Sequence, residues 1–190
     1  MLNRQSAWEL LCEYTESESL RKHGLGVEAA MRAMATKYGG DPDLWGIAGL
    51  LHDFDYEKYP SAEDHPAKGV AILKEKGYPQ ELLDAIMGHA EHTGVARETL
   101  MAKALFAVDE LVGFIFAVTY VRPNRAVKEV VPKSIRKKLK QKSFAASVNR
   151  ADIANGMLAL ELDENEHFQF VVEALATVAE EIGLAGVPQK

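Results

Sequence analysis

The chain has 190 residues, of which 47% are hydrophobic and 26% charged, and this composition is that of an ordinary globular domain. Cys12 is the only cysteine, which excludes an internal disulfide and a metal site built from cysteines. The sequence shows no secretion signal and no apolar run near the roughly 18 residues that a membrane-spanning helix needs, so we expect a cytoplasmic protein with no membrane partner.

Apolar residues recur at helical spacing along almost the whole chain, and no stretch alternates as a strand does. Gly39-Gly40 is a helix stop, and Asp41-Pro42 is a helix start with an N-cap followed by proline. We therefore predict one all-α domain over residues 1–190, with a loose end from Gly186 to Lys190. The predicted helices lie around Trp8–Cys12 and at about Ser17–Tyr38, Pro42–Asp53, Glu63–Lys76, Gln80–His92, Arg97–Tyr120, Arg150–Leu160 and Glu164–Ile182.

The net charge of −6 conceals a strongly basic segment. Ten of the 22 lysines and arginines lie between Val121 and Arg150, where Glu129 is the one acidic residue. Such a block in an acidic protein indicates an anionic partner or substrate. Val131, Ile135 and Leu139 are nevertheless at helical spacing, so the basic side chains could equally form a solvated helix face.

The residues most informative about function are His52 and Asp53, which end the very apolar helix that contains Ile47 and Leu51. Burying an imidazole and a carboxylate there without partners would be costly, and a bound metal would remove that cost. Asp109 is likewise flanked by apolar residues on both sides. Histidine nitrogen and carboxylate oxygen together form a ligand set for divalent metals. Further candidate ligands on other predicted helices are His23, His65 and His89.

Two other histidines have separate interpretations. His92 follows His89 by three residues, so both share one helical face, and we expect His92 to contact substrate or solvent. His167 is far from the others in sequence, on a glutamate-rich helix, and we expect it at the surface.

The pattern His23, His52-Asp53, His65, His89, Asp109 resembles the HD superfamily of metal-dependent phosphohydrolases over roughly residues 18 to 120. The resemblance implies an HD-domain helical bundle of about five core helices, here with additional C-terminal helices. It implies that His23, His52, Asp53 and Asp109 bind one metal. His65 and His89 match the extra ligands of members with two metals, in which Asp53 bridges the ions.

The sequence also departs from this family. Phe54-Asp55-Tyr56 stands where many phosphodiesterase members have Ile-Gly-Lys, and the Asp-Gly-x-Gly-Tyr-Pro signature of the cyclic-dinucleotide members is missing. Lys58 or Lys68 could replace the absent lysine. The candidates for binding an anionic substrate are His92, Lys68, Arg122, Arg125, Lys133 and Arg136. If the basic segment folds over the metal pocket, Ser143-Phe144 and Asn149-Arg150 could complete this cover.

We predict a metal-dependent phosphohydrolase for a small phosphorylated metabolite or nucleotide, with a metal-activated water as nucleophile and Asp53 as the central catalytic residue. One or two divalent ions are expected, and Mn, Fe, Ni, Co, Zn and Mg are not distinguishable. Two alternatives stay open, a di-iron HD-type oxygenase and a non-catalytic module that binds a polyanion. The acidic remainder of the chain and the lack of interleaved aromatics argue against nucleic acid.

Overall fold

A computed structural model describes residues 3–187 of the chain. Within that range the protein has nine α-helices and no strand, which confirms the predicted all-α fold. Of the chain end that we expected to be loose, residues 188–190 lie outside the described range. The helices are α1 (Arg4–Tyr14), α2 (Glu18–Tyr38), α3 (Pro42–Leu51), α4 (Ala67–Glu75), α5 (Gln80–His89), α6 (Leu100–Tyr120), α7 (Pro132–Leu139), α8 (Arg150–Ala159) and α9 (Glu164–Ala176).

Capping residues set the helix starts that the sequence predicts best. The Ser17 hydroxyl accepts a hydrogen bond from the Leu20 amide at the start of α2, and Gly39 ends this helix in the left-handed conformation with φ of 73°. The Asp41 carboxylate accepts hydrogen bonds from two amides at the start of α3, and Pro42 occupies the first helical position. The predicted turn between α2 and α3 is therefore confirmed.

Other boundaries differ from the prediction, and the local backbone explains each difference. Ala90 adopts an extended conformation, so α5 ends at His89, and a separate 3-10 turn over Glu91–Thr93 carries His92. Thr99 caps α6, which shortens this helix by one turn at its start. Residues 177–183 form turns, although Ile182 is fully buried; its burial explains why an apolar pattern continues past the helix.

Helix α6 lies at the centre of the molecule and packs against α2, α5, α8 and α9. Its buried residues include Leu105, Val108, Leu111 and Phe114, which lie on several faces of the helix. A helix that is apolar all round must be enclosed by others, which explains why the bundle forms around it. No helix in the described part of the chain is long and apolar enough to span a membrane.

The most extensive helix contact is between α2 and α3, and glycines permit their close approach. A Cβ atom added at Gly49 would lie 2.8 Å from the carbonyl oxygen of Val27, and one added at Gly24 would lie 3.1 Å from that of Leu50. Backbone therefore contacts backbone across this interface. This contact sets the position of His52, which follows α3 directly, relative to α2.

The basic segment covers the side of the bundle near α9. Ile135 of α7 is buried, and α7 packs on α6 and α9. The guanidinium group of Arg150 donates hydrogen bonds to carbonyl oxygens of the turn that joins α7 to α8, including those of Ala145 and Val148. This part of the segment is therefore an ordered structural element of the protein.

The α2–α3 contact generates a stability prediction. Replacing Gly49 with Ala should lower the free energy of unfolding by roughly 1–3 kcal/mol, because the new methyl group meets the backbone of Val27, which cannot rotate away. Gly113→Ala is the matched control, since the added Cβ atom would lie 3.9 Å from a ring atom of His23, which is an ordinary contact distance. Urea denaturation without metal measures both, and equal effects of the two substitutions would contradict the packing argument.

Candidate metal centre

Five separate segments deliver the polar side chains of the site. His23 comes from the second turn of α2, and Asp109 from the middle of α6. His52 and Asp53 follow the end of α3 directly. His65 lies in a turn just before α4, and His89 is the last residue of α5. These six residues, which are far apart in sequence, meet at one end of α3.

The six residues form two groups of three, each able to hold one ion. The first group is His23, His52 and Asp109, and the second is Asp53, His65 and His89. Within each group the potential ligand atoms all lie within 4.8 Å of one another. The site thus has the donor set and the size for two neighbouring metal ions.

In the first group, the Asp109 carboxylate lies between two imidazole rings. Its Oδ1 atom is 3.0 Å from Nε2 of His23 and 3.2 Å from Nε2 of His52. Donors at about 2.1 Å from one ion, at angles between octahedral and tetrahedral values, are themselves roughly 3.0–3.4 Å apart. The observed separations therefore fit ligands of a common ion.

In the second group, Asp53 is the central residue and also approaches the first group. Its Oδ1 atom is 3.2 Å from Nε2 of His65 and 3.3 Å from Nε2 of His89, while its Oδ2 atom is 3.4 Å from Nε2 of His52. One carboxylate oxygen faces each group. This is the arrangement that a carboxylate bridging two ions requires.

The outer ring nitrogens are held so that the inner ones face the site. The Nδ1–H group of His52 donates to the Gly49 carbonyl at 2.7 Å, and that of His89 donates to the Ile86 carbonyl at 2.5 Å. A carbonyl only accepts hydrogen bonds, so each ring carries a proton on Nδ1, and Nε2 is the atom that faces the site. Hydrogen bonds of this kind orient metal-binding histidines.

His52 provides the sharpest test of whether a metal fits. Its Nε2 atom is buried and makes no hydrogen bond within the described residues, although two carboxylate oxygens face it within ion-pair distance. Buried polar atoms normally have a hydrogen-bond partner, so an exception needs an explanation. A metal ion between these atoms would provide one.

Without a metal, protons compensate the carboxylates. Burial lowers the pKa of His52, but the charges of Asp53 and Asp109 outweigh burial and raise it well above its usual value. Burial would raise the pKa values of both aspartates, but His52 and the neighbouring imidazoles hold them well below their usual range. Asp53 and Asp55 together raise the pKa of His65 to about 9 against the effect of burial.

A cavity of about 440 Å³ opens over the two groups. Its wall includes five carboxylates, but no lysine or arginine from the described part of the chain. One of them, Glu110, has its pKa raised to about 7 by burial and by the charge of Asp109. Besides the ligands, the wall contains Tyr56, Ala90, Glu91, His92, Phe106, Glu110, Gly113, Asn149 and Asp152.

Among the predicted substrate contacts, the structure brings only His92 to this cavity. The Nε2–H group of His92 donates to the His65 carbonyl at 2.9 Å. Lys68, in contrast, pairs with Asp64 at 3.1 Å, and its ammonium group lies over the Tyr59 ring. Lys68 is exposed on the first turn of α4 and does not belong to the described cavity wall.

The four basic candidates Arg122, Arg125, Lys133 and Arg136 do not belong to the described cavity wall. Arg136 pairs with Glu164 at 2.6 Å, and Arg122 lies near Glu129 at 3.7 Å. For Lys133 and Arg136 the reason is that Ile135 directs the apolar face of α7 into the core, which turns the charged face of this helix outward. Asn149 is the residue through which the basic segment reaches the cavity.

The sequence-based prediction for His167 was wrong. Its side chain is buried, and its Nε2–H group donates to the Ala107 carbonyl of α6 at 3.0 Å. The glutamates of α9 lie on the other faces of the helix, so a count of charges along the sequence did not reveal the buried face.

Sequence reasoning also missed functional candidates. Asp55 is buried beside His65, and Glu110 and Asp152 line the cavity. The position of Glu110 next to Asp109 and of Asp55 two residues after Asp53 was the available signal. Asp152 had none, because only the packing of α8 on α6 brings it to the site.

Comparison with known proteins identifies the family of the chain. Residues 20–113 match the family model of the HD domain, a range that holds all six residues of the two groups. The chain belongs to the HD-domain family. This family is part of a superfamily of metal-dependent phosphohydrolases. The predicted resemblance is confirmed.

Two curated relatives are similar to half of the chain. Both are ribonuclease Y from Thermus thermophilus, from two different strains, and each is 35% identical over 95 residues. The match covers 50% of this chain but only 16% of either relative. No solved structure gives a significant match.

The electrostatics of the site predict opposite pH trends with and without metal. The pKa of His65 is about 9 in the folded protein and exceeds the ordinary value of 6.5. Protonation of His65 therefore stabilises the fold fully below pH 6.5. This stabilisation disappears as the pH rises through 9. The free energy of unfolding of the metal-free protein should therefore fall over this range by roughly 1–3 kcal/mol.

Metal should reverse this trend, because ions bind neutral imidazole and compete with protons. The rise in melting temperature caused by Zn²⁺ should grow between these two pH values. Differential scanning fluorimetry with EDTA and with Zn²⁺ measures both trends. A metal-free melting temperature that increases toward pH 9 would contradict the assignment of charges.

Proposed function

We propose that this protein is a metal-dependent phosphohydrolase that acts on a small phosphorylated metabolite or nucleotide. The observation that carries the proposal is the pair of adjacent His/Asp groups with Asp53 between them. His23, His52 and Asp109 would hold one ion, and His65 and His89 a second, with Asp53 bridging the two. Bound divalent ions would acidify a coordinated water and offset the negative charge that develops on phosphoryl oxygens.

The contribution of the chain itself is to position these groups before substrate arrives. His52 and His89 each donate from Nδ1 to a backbone carbonyl, which directs their Nε2 atoms into the site. Asp53 is anionic because the neighbouring imidazoles depress its pKa. The arrangement therefore needs little reorganisation when ions and substrate bind, which favours catalysis.

The shape and charge of the cavity support a small substrate. A volume of about 440 Å³ lies in the range of small-molecule sites. Because the described wall has no lysine or arginine, bound metal ions, and not basic side chains, would have to bind a phosphoryl group. Polyphosphates and nucleic acids usually need several basic contacts, so this wall favours a substrate with a single phosphoryl group.

The similarity to ribonuclease Y supports phosphoester chemistry but not its substrate. The name of that protein indicates action on RNA, and the chain matches only 16% of its length. The basic segment from Val121 to Arg150 lies beyond the matched HD domain, which ends at residue 113. We therefore carry over the class of reaction alone.

Metal content tests the proposal most directly. Protein purified without chelator should contain about two ions per chain, and a His52→Ala, Asp53→Ala variant should lose both, because these residues contribute to both groups. Asp84→Asn is the control, since it removes an exposed carboxylate of α5 that accepts a hydrogen bond from Gln80 and belongs to neither group of potential ligands. Inductively coupled plasma mass spectrometry gives the stoichiometry.

Activity assays separate the candidate functions. Metal-dependent release of phosphate from small phosphomonoesters, lost in the double variant, would support hydrolysis. Oxygen consumption by iron-loaded protein would instead favour the di-iron oxygenase. Binding of RNA with a steep salt dependence, without turnover, would favour the polyanion module. Protein that takes up no metal from Mn²⁺, Fe²⁺ or Zn²⁺ would exclude the proposed enzyme.

The basic segment gives an independent kinetic prediction. Replacing both Arg122 and Arg125 with Ala should leave kcat/KM on a turned-over phosphomonoester within about twofold, because neither side chain reaches the cavity. Replacing Asp152 with Asn, which alters the wall itself, should change KM by more than this. A tenfold or larger decrease in kcat/KM of the double arginine variant, at unchanged melting temperature, would show that the basic segment does contact the substrate.

A further inference from the structure

Asp55 is a fully buried carboxylate whose two oxygen atoms each accept a hydrogen bond. Its Oδ1 atom accepts from Nδ1–H of His65 at 2.8 Å, and its Oδ2 atom accepts from the Gly69 amide at 2.8 Å. It stands two residues after Asp53, but it is not part of either group of potential ligands. A buried carboxylate in this environment needs a reason.

Gly69 fits closely against this carboxylate. A Cβ atom added at Gly69 would lie 2.6 Å from Cγ of Asp55 and less than 3.0 Å from both of its oxygens. Any other residue at position 69 would therefore displace the carboxylate. The start of α4 is shaped to receive Asp55, and through Asp55 it is connected to the ring of His65.

His65 needs such a partner more than the other histidines do. His52 and His89 donate from Nδ1 to carbonyls three residues earlier in the chain, at the ends of α3 and α5. His65 lies in a turn before α4, where its ring is held by the side chain of Asp55. A carboxylate acceptor also makes the imidazole a stronger donor toward a metal than a carbonyl does.

We propose that Asp55 is a positioning residue for the second ion. It holds the proton of His65 on Nδ1 and so directs the Nε2 lone pair toward Asp53, whose Oδ1 atom lies 3.2 Å away. Binding of an ion to the group formed by Asp53, His65 and His89 depends on Asp55, whereas binding of an ion to the group formed by His23, His52 and Asp109 does not. This inference rests on the proposed function, because it presupposes the two-metal centre.

The substitution Asp55→Asn tests the inference with almost no change in shape. Asp55 accepts from two donors, but an asparagine side chain has only one acceptor oxygen and an amide that donates. If the oxygen stays with the Gly69 amide, the NH₂ group of the introduced side chain faces His65 and moves its proton to Nε2, the metal-binding atom. If the side chain flips, two N–H groups face each other at Gly69. Either orientation weakens the hold on His65.

Titration with Co²⁺ alone, followed by absorption spectroscopy and equilibrium dialysis, distinguishes the two ions. Wild-type protein should bind about two Co²⁺ per chain, and Asp55→Asn should retain the first while the Kd of the second rises by roughly 10–100-fold. Asp64→Asn is the matched control, because it removes the carboxylate next to His65 that pairs with Lys68 instead. The control should bind both ions as wild type does.

A second variant and a measurement on the wild-type protein distinguish a specific role of Asp55 from a general loss of stability. Gly69→Ala, which displaces Asp55 from the other side, should also weaken only the second ion, while the metal-free melting temperature identifies any variant that is merely unstable. Long-range ¹H–¹⁵N correlation spectra of Zn²⁺-loaded wild-type protein should show the His65 proton on Nδ1. A proton elsewhere on this ring, or two ions bound with unchanged affinity by both variants, overturns the role of Asp55. Absence of Co²⁺ binding by wild-type protein would instead overturn the two-metal centre itself.

Discussion

Asp109 lies in the middle of α6, whose buried residues are almost all apolar, and Asp53 follows the equally apolar α3. Two carboxylates in such surroundings require nearby positive charge, since an uncompensated buried charge is far more costly than a buried neutral group. The imidazoles of His23, His52, His65 and His89 surround them, and the carboxylates raise the pKa values of His52 and His65 so that these two rings carry compensating protons. A divalent ion could replace those protons, so the same requirement makes the two groups suitable for metal.

The scaffold that satisfies this requirement depends on close helix packing. Backbone contact at Gly24 and Gly49 brings α2 and α3 together, and both helices pack on α6. The potential ligands of three rigid helices are thereby held together: His23 on α2, His52 and Asp53 at the end of α3, and Asp109 on α6. Ligands on rigid elements retain their separations when no ion is bound, so the donor atoms stay 3.0–3.4 Å apart.

The distribution of charge separates the surface of the molecule from its site. The basic residues of α7 face outward or pair with Glu164, whereas the charged residues of the described cavity wall other than its histidines are all acidic. In the proposed enzyme, metal ions would have to bind before an anionic substrate, because they would provide the positive charge that this wall lacks.

Much of the architecture follows from the sequence alone. Helical periodicity, the caps at Ser17 and Asp41, and the stop at Gly39 are local signals, and they identify the main helices because capping and periodicity act over only a few residues. The six His and Asp residues could be singled out because a polar ligand at the end or in the middle of an apolar helix is conspicuous. Their pattern was sufficient to indicate the HD family.

Only the tertiary structure decided the rest. The link between Asp55 and His65, the burial of His167 against α6, and the approach of Asn149 and Asp152 to the cavity all join residues from different segments of the chain. The outward direction of the basic residues of α7 was likewise open, because a run of charges is compatible with a binding surface or with a solvated face. These features depend on how helices pack against one another, and a linear pattern holds no record of which faces meet.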